Sequence, residues 1–470
     1  MAIVLFPTVQ FFLFFLFVFC FSWILNFDSV VRKFFLLIAS YFFYCFLDFK
    51  LLPILLLSTL VNYLIGYLIH QNDRHRSKFL ILGVSINLAL LGFYKYVDFL
   101  LENLNGMISL FSHTSEAIQQ FDLVLPLGIS FYTFQGISFL VDLNNKKIEK
   151  FPNILDFSLL ICFFPHLIAG PIVRAAEILP QFQSPVDDRK VDYLKLTGLF
   201  ILGLFKKVII SNYIAADIVD PVFQNLENHS GIDLWLAMYG YAIQIYCDFS
   251  AYSDMAIAVA GLLGYHFPQN FNQPYRSASL SEFWKRWHIS LSSWLRDYVY
   301  IPLGGSRVSH FLNARNLMIT MLLGGIWHGA SWNFIIWGMI HGLALVVEKA
   351  VQSHFPNIKF NIWIKRMIVF HVVCFAWIFF RQEQFLDAVH FIQKMFISFD
   401  LTIFHRFSLV CLGIGLLMNY VSMPTQDDYE DTLIQVLKSP ATQIAVYCFA
   451  IYLIVAMSPN QISPFIYFRF

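Results

Sequence analysis

Long apolar runs and short polar interruptions alternate along the whole chain. Apolar segments can be read at about 3–25, 34–48, 51–70, 79–100, 123–143, 155–172, 196–218, 234–264, 316–347, 364–380, 404–422 and 440–458. Most approach the ~20 residues that a helix needs to cross a hydrocarbon core, so the pattern predicts an all-α chain with ~10–12 membrane passes. Gly and Pro break several of these runs. Irregular backbone at membrane depth survives only where protein or a water-filled cavity surrounds it. The segments LPLGISFYTFQG (125–136) and FFPHLIAGPIVR (163–174) are therefore expected in the interior, with some passes re-entrant.

The Lys/Arg bias of short loops predicts orientation. Arg32/Lys33, Arg74/Arg76/Lys78 and Lys146/Lys147/Lys150 read as cytoplasmic, whereas 101–122 and 221–233 contain neither Lys nor Arg and read as external. The N-terminus is then expected outside. The stretch 266–315, with Arg276, Lys285, Arg286, Arg296, Arg307 and Arg315, is expected on the cytoplasmic side. No repeat or linker divides the chain, so 1–470 reads as a single membrane domain, with 423–439 as its clearest late polar loop.

Composition narrows the class. The chain is 58% hydrophobic and only 13% charged, too few charges to clothe a soluble protein of this size. Lys+Arg (31) nearly equals Asp+Glu (30) and there is no basic tail, which excludes a nucleic-acid partner. Seven cysteines stand singly in apolar runs without a C-x-x-C. They read as small hydrophobes, and no metal site is expected. The N-terminus lacks the basic start and small-residue cleavage site of a signal peptide, and reads as a retained first span.

Three segments concentrate chemistry. In SEFWKRWHISLSSWLRDYVYIPLGG (281–305), helical spacing puts Trp284, Trp287, Leu291, Trp294, Tyr298 and Ile301 on one stripe, opposite Lys285, Arg286, Arg296 and Asp297. That is an amphipathic interfacial helix ended by Pro302 and Gly304-Gly305. His288 sits at the edge of the apolar stripe, either as a satisfied structural histidine or as a group with a task.

In LLGGIWHGASWNFIIWGMIHG (322–342), His328 lies within an uncharged apolar run beside Gly324, Gly325 and Gly329. Small residues allow close approach of a backbone or ligand, and an ionisable group at membrane depth is a functional candidate by default. Helical numbering places Trp332 and Ile335 on its face and His341 nearly opposite, where a packing role is expected. In YAIQIYCDFSAYSDMAIAVAGLLG (241–264), Gln244 shares a face with Asp248, and Ser250 with Asp254. These acids could line a polar cavity, bind a cation, or pair with the arginines of 276–296. Lys206-Lys207 could instead neutralise them. No G-x-S-x-G, H-E-x-x-H, P-loop or G-x-G-x-x-G occurs, which argues against serine hydrolases, zinc proteases and ATP-driven pumps.

FWKRWHISLSSWLRDYVYIPLGGSR together with GGIWHGASWNFIIWGMIHG resembles the membrane-bound O-acyltransferase (MBOAT) family, and within it the bacterial polysaccharide O-acetyltransferases of the alginate type. Stretches at 125–143, 163–174, 246–275 and 464–470 share the likeness, so most of 120–345 is covered as a motif-bearing core. The resemblance implies a ring of tilted helices around a thin partition, in a bacterial inner membrane. A cytoplasmic donor, acetyl-CoA, would meet an acceptor reaching in from outside. It implies no permanently bound cofactor, and a periplasmic or extracellular acetyltransferase of the same pathway as partner.

It also implies that His328, in the WHG motif, and His288 are catalytic. His328 would take the proton of the acceptor hydroxyl, while His288 would serve the thioester carbonyl or the leaving thiolate. Trp327, Trp332 and Asn333 would shape a tunnel, and Gln244 and Asp248 are further substrate-binding candidates. Arg286 and Arg296 suit the phosphates of coenzyme A. Two competing functions stay open at this point. One is D-alanyl transfer from a carrier protein to teichoic acid. The other is a proton-coupled transporter with His328 and Asp248 as its relay.

Overall fold

The computed structural model describes residues 6–111, 118–355, 360–403, 405–420, 439–459 and 463–466. The expected polar loop at 423–439 lies outside them except for Ser439, as do residues 467–470 of the last family-like stretch. Every regular element among the described residues is helical. Seven helical stretches are long and apolar enough to cross a membrane: Val9–Phe27, Ser29–Phe46, Phe49–Gln71, Arg76–Phe111, Tyr193–Gln224, Trp332–His354 and Ile362–Arg381. Arg406–Leu417 and Pro440–Ala456 are apolar but shorter.

The chain forms two compact units, Met1–Val191 with Ala260–Phe267, and Asp192–Val259 with Pro268–Phe470. In the first, side-chain caps start the helices where the sequence offers them. Thr8 accepts from the Phe11 amide, and Asp28 from the Val30 and Val31 amides, satisfying donors that a helix N-terminus leaves orphaned. Helix Val9–Ile24 buries Phe11, Val18 and Ser22 on a narrow stripe and exposes Val9, Leu13, Leu16 and Phe17, the pattern of a lipid-facing rod.

Arg32 and Lys33, read from sequence as loop charges, are instead buried in helix Ser29–Asp48. Arg32 donates to the Ser22 and Leu263 carbonyls at 3.0 and 2.6 Å and lies over the Trp23 and Tyr265 rings. Lys33 meets Asp156 at 2.5 Å. Burial demands these partners, so the two cations act as internal ties. The expected external loop 101–122 is likewise helical through Phe111. The Gly- and Pro-broken segments do lie inside: Ile129–Asn144 and residues 163–173 are almost wholly buried.

The second unit carries both candidate histidines. Phe205–Ser211 and Ala215–Val219 are π-helical stretches within Tyr193–Gln224. In the first of them Lys206 and Lys207 are both buried, a local widening of the kind often found at specialised sites. The apolar run 316–347, read as one segment, is a hairpin of His310–His328 and Trp332–His354. Gly329 is fully extended (φ −170°, ψ 162°), and the Ser331 hydroxyl caps the returning helix through the Asn333 amide. Backbones touch along the hairpin, because a Cβ on Gly338 would stand 2.5 Å from the Met321 carbonyl oxygen.

Candidate active site

The expected single helix over 281–305 is broken at Trp287–His288 into Leu280–Arg286 and Ile289–Leu295, followed by a π-helical turn, Arg296–Tyr300. The break lies at the residue of interest. His288 has φ +41° and ψ 57°, a left-handed conformation unusual for a side chain of this size. Such strain costs about 1–3 kcal/mol and persists where the surroundings enforce it, commonly at functional sites.

Asn270 does the enforcing. Its backbone carbonyl accepts from the Ile289 amide at 2.9 Å. Its Oδ1 accepts from the Ser290 amide at 3.2 Å and hydroxyl at 2.8 Å, while its Nδ2 donates to Ser253 Oγ at 3.0 Å. These bonds fix which end of the amide is oxygen. That oxygen lies 3.2 Å from His288 Nδ1, closer than the Leu291 amide at 3.4 Å. Nδ1 is thus engaged by Asn270 and by the Leu291 amide, whose N–H it accepts, and Nε2 is the ring nitrogen outside this network. Among the described residues Nε2 has no partner. The ring is fully buried, edge-on to Phe249 at 4.6 Å. Burial pushes its pKa down to about 3, which keeps it neutral.

His328 ends the first arm of the hairpin. One indole bridges it to His288: the Trp327 ring lies 6.0 Å from His288 and 4.9 Å from His328. Trp337 and Phe380 enclose His328 at 5.0 and 5.1 Å, and Phe334 packs on Phe380 at 5.0 Å.

A cavity of about 220 Å³ reaches His328. Leu317, Met321, Gly324 and His328 line it along one arm, and Trp337, Leu345 and Lys349 along the other. At 1.5 Å per residue the helix from Leu317 to His328 is about 16 Å long. In an antiparallel hairpin this puts His328 and Trp337 at one end of the cavity, with Lys349 at the other. Arg296 and Tyr300 also line it. Lys349 donates to the Tyr300 hydroxyl at 3.3 Å and to Asn313 Oδ1 at 3.0 Å. Arg296 forms a two-pronged pair with Asp297 at 2.6 and 3.0 Å. The outcome is a thin channel with cations at one end and an enclosed imidazole at the other.

The other expected residues separate. Asn333 donates to the Gln382 carbonyl at 2.7 Å, tying the hairpin to helix Ile362–Arg381. Trp332 begins the second arm, is 56% exposed and is not among the cavity residues. Its place on the His328 face required a continuous helix, which the extended Gly329 interrupts. Arg286 is held by Glu282 at 2.9 Å and the Asn272 carbonyl at 3.1 Å. Asp248 meets Lys207 at 2.5 Å, and its other oxygen accepts from the Ile466 amide at 2.8 Å. Lys206 pairs with Asp254 and Ser250. The lysines, not the arginines of 276–296, thus neutralise both acids. Gln244 is buried on the same helix. His341, expected to pack, sits between Trp284 and Trp337 at 5.0 and 4.8 Å. Asn270, Trp284, Trp337 and Lys349 were not singled out from sequence for this site. Only Lys349, a cation closing an apolar run, carried a visible signal.

Comparison with known proteins identifies the family. The pattern of the MBOAT, membrane-bound O-acyltransferase, family matches residues 38–386. A probable alginate O-acetylase AlgI of Pseudomonas aeruginosa is 41% identical over 396 residues, covering 82% of this chain and 74% of the relative. A peptidoglycan O-acetyltransferase of Helicobacter pylori is 39% identical over 402 residues, 78% of this chain and 74% of the relative. A teichoic acid D-alanyltransferase of Streptococcus thermophilus is 29% identical over 295 residues, 57% of this chain and 70% of the relative. With apolar helices for several membrane passes and a family match over most of its length, the chain is a multi-pass membrane O-acyltransferase and belongs to the membrane-bound O-acyltransferase family.

Proposed function

We propose that the chain takes acetyl groups from acetyl-CoA on the cytoplasmic face of a bacterial inner membrane and passes them toward sugar hydroxyls of an envelope polysaccharide. A periplasmic or extracellular acetyltransferase of the same pathway completes the transfer. The observation that carries this reading is the cavity with cations at one end and His328 at the other. A thioester on a thin arm fits it, with phosphates at Lys349 and Arg296 and the acyl carbon at His328. Phe334, Trp337 and Phe380 crowd that end, which suits a short acyl group. The names of two relatives, acting on alginate and peptidoglycan, support acetyl transfer to a glycan.

His328 takes the acceptor hydroxyl proton as the oxygen attacks the thioester carbon, and the departing thiolate recovers a proton from imidazolium. His288 extends this relay through Nε2, the nitrogen outside the Asn270 network. Enclosure of both rings in aromatic walls keeps out the water that would hydrolyse the donor.

The test is turnover of acetyl-, butyryl- and palmitoyl-CoA by purified protein in nanodiscs, beside His328→Ala. Turnover is expected with acetyl-CoA alone and lost in the variant. Full transfer by His328→Ala overturns the reading. Transfer from an acyl carrier protein, with none from any CoA ester, replaces it with the D-alanyl type of donor.

A further inference from the structure

Acyl transfer needs a donor at the carbonyl oxygen as its charge develops. Trp337 and Trp284 both line the cavity that reaches His328. Their rings lie 5.6 Å apart, and Trp337 is edge-on to His328 at 5.0 Å. Both Nε1–H groups are buried, and among the described residues neither has an acceptor. An indole N–H can only donate, and buried donors left unpaired are uncommon enough to require a reason. Another tryptophan of the same cluster behaves differently. Trp377, stacked on Trp337 at 5.7 Å, donates to the Tyr275 hydroxyl at 3.2 Å.

We propose that Trp337 is a catalytic residue whose indole Nε1–H donates to the thioester carbonyl oxygen as it becomes the tetrahedral oxyanion. This rests on the acyl-transfer reading of the cavity. The hydroxyl oxygen bonds to the carbonyl carbon, the carbonyl π pair moves onto oxygen opposite Trp337, and the hydroxyl proton passes to His328. On collapse the C–O double bond re-forms and the C–S bond breaks. The thiolate leaves and is protonated by imidazolium, giving one ester and one thiol. A donor fixed in a dry aromatic wall pays no reorganisation as the charge appears. Trp337 is held in this way by Trp377, Phe380 and His341.

Trp337→Phe keeps the ring and removes only the N–H. Its kcat for acetyl transfer is expected to fall about 10²-fold, with KM for acetyl-CoA little changed, since the interaction forms in the transition state. Trp235→Phe deletes an N–H that already has a protein acceptor, the Met395 carbonyl at 3.2 Å, and serves as the packing control. It is expected to lower thermal stability while kcat stays within about threefold, being outside the reacting centre. Unchanged kcat in Trp337→Phe, or equal losses in both variants, overturns the proposal. If Trp337→Phe is fully active while His328→Ala is dead, only this assignment fails. If His328→Ala is active, the underlying reading fails with it.

Discussion

A Cβ added to Gly325 would stand 3.2 Å from the Cα of Gly338 and would collide with the Phe334 carbonyl oxygen. The two arms of the hairpin meet backbone to backbone, the packing that small residues permit between membrane helices. His328 is placed by that contact. It lies less than one turn beyond Gly325, on the arm that faces Trp337.

Gly325→Ala must therefore separate backbones rather than displace a flexible side chain. A loss of about 1–3 kcal/mol is expected, as for other overpacked interiors. It is read as a lower unfolding midpoint in detergent. Gly324 differs, since a Cβ there meets only Leu295 Cδ1, at 3.2 Å, and the residue lines the cavity. Gly324→Val is expected to leave stability nearly intact and to suppress acetyl-CoA turnover by filling the channel. A variant of normal activity would show that the donor does not pass there.

Lys207 and Asp248, each 1% exposed in its side chain, form a pair that cannot lose one member cheaply. Lys207→Ala is expected to destabilise by about 3–5 kcal/mol, because an uncompensated buried charge remains. Replacing both with apolar residues of similar size is expected to recover much of that loss, though the Ile466 amide then loses its acceptor. Chemical unfolding of the single and double variants measures the difference.

Asn270 tests the placement of His288. Asn270→Ala removes the oxygen that stands against Nδ1 and holds Ser290, so the ring loses its anchor. An expected loss of about 10²-fold in kcat lies within the usual contribution of a positioned base. Asn270→Asp keeps an oxygen against Nδ1 and Ser290 and is expected to retain more activity than the alanine variant. Equal loss in the two would mean that Asn270 serves only the local fold.

Lys349 tests the cationic end of the channel. Lys349→Ala is expected to raise KM for acetyl-CoA with little change in kcat, the signature of lost uniform binding. The effect should shrink as salt is added, because partly exposed charges are screened. Steady-state kinetics at two ionic strengths are sufficient.

Much of this was legible in sequence because the physics is local. Apolar run length marked the seven helices able to cross a membrane, while the runs at 123–143, 155–172 and 234–264 are not among them, and buried ionisable residues marked His328 and the acids near 248. The exchange of partners between Lys206-Lys207 and Asp254/Asp248 was among the expected alternatives, since a membrane-depth charge requires a counter-charge. What failed was periodicity carried through breaks. Ser331 before Asn333 is a capping pattern, yet the wheel was drawn across it, which put Trp332 beside His328. The left-handed turn at His288 has no sequence signature, because Asn270 imposes it from eighteen residues away. Trp337 escaped notice for a related reason, as an unpaired indole N–H exists only once a fold has withheld its acceptor.

The segment 463–466 also bears on how the chain is made. Its backbone engages Asn212, Lys207 and Asp248, and Phe465 covers Tyr252 at 4.2 Å. Those partners leave the ribosome some two hundred residues earlier. Until 463–466 is made, the nascent protein holds these buried polar groups without the backbone that completes their bonding. Synthesis of 463–466 is then the step that completes the bonding of Asn212, Lys207 and Asp248.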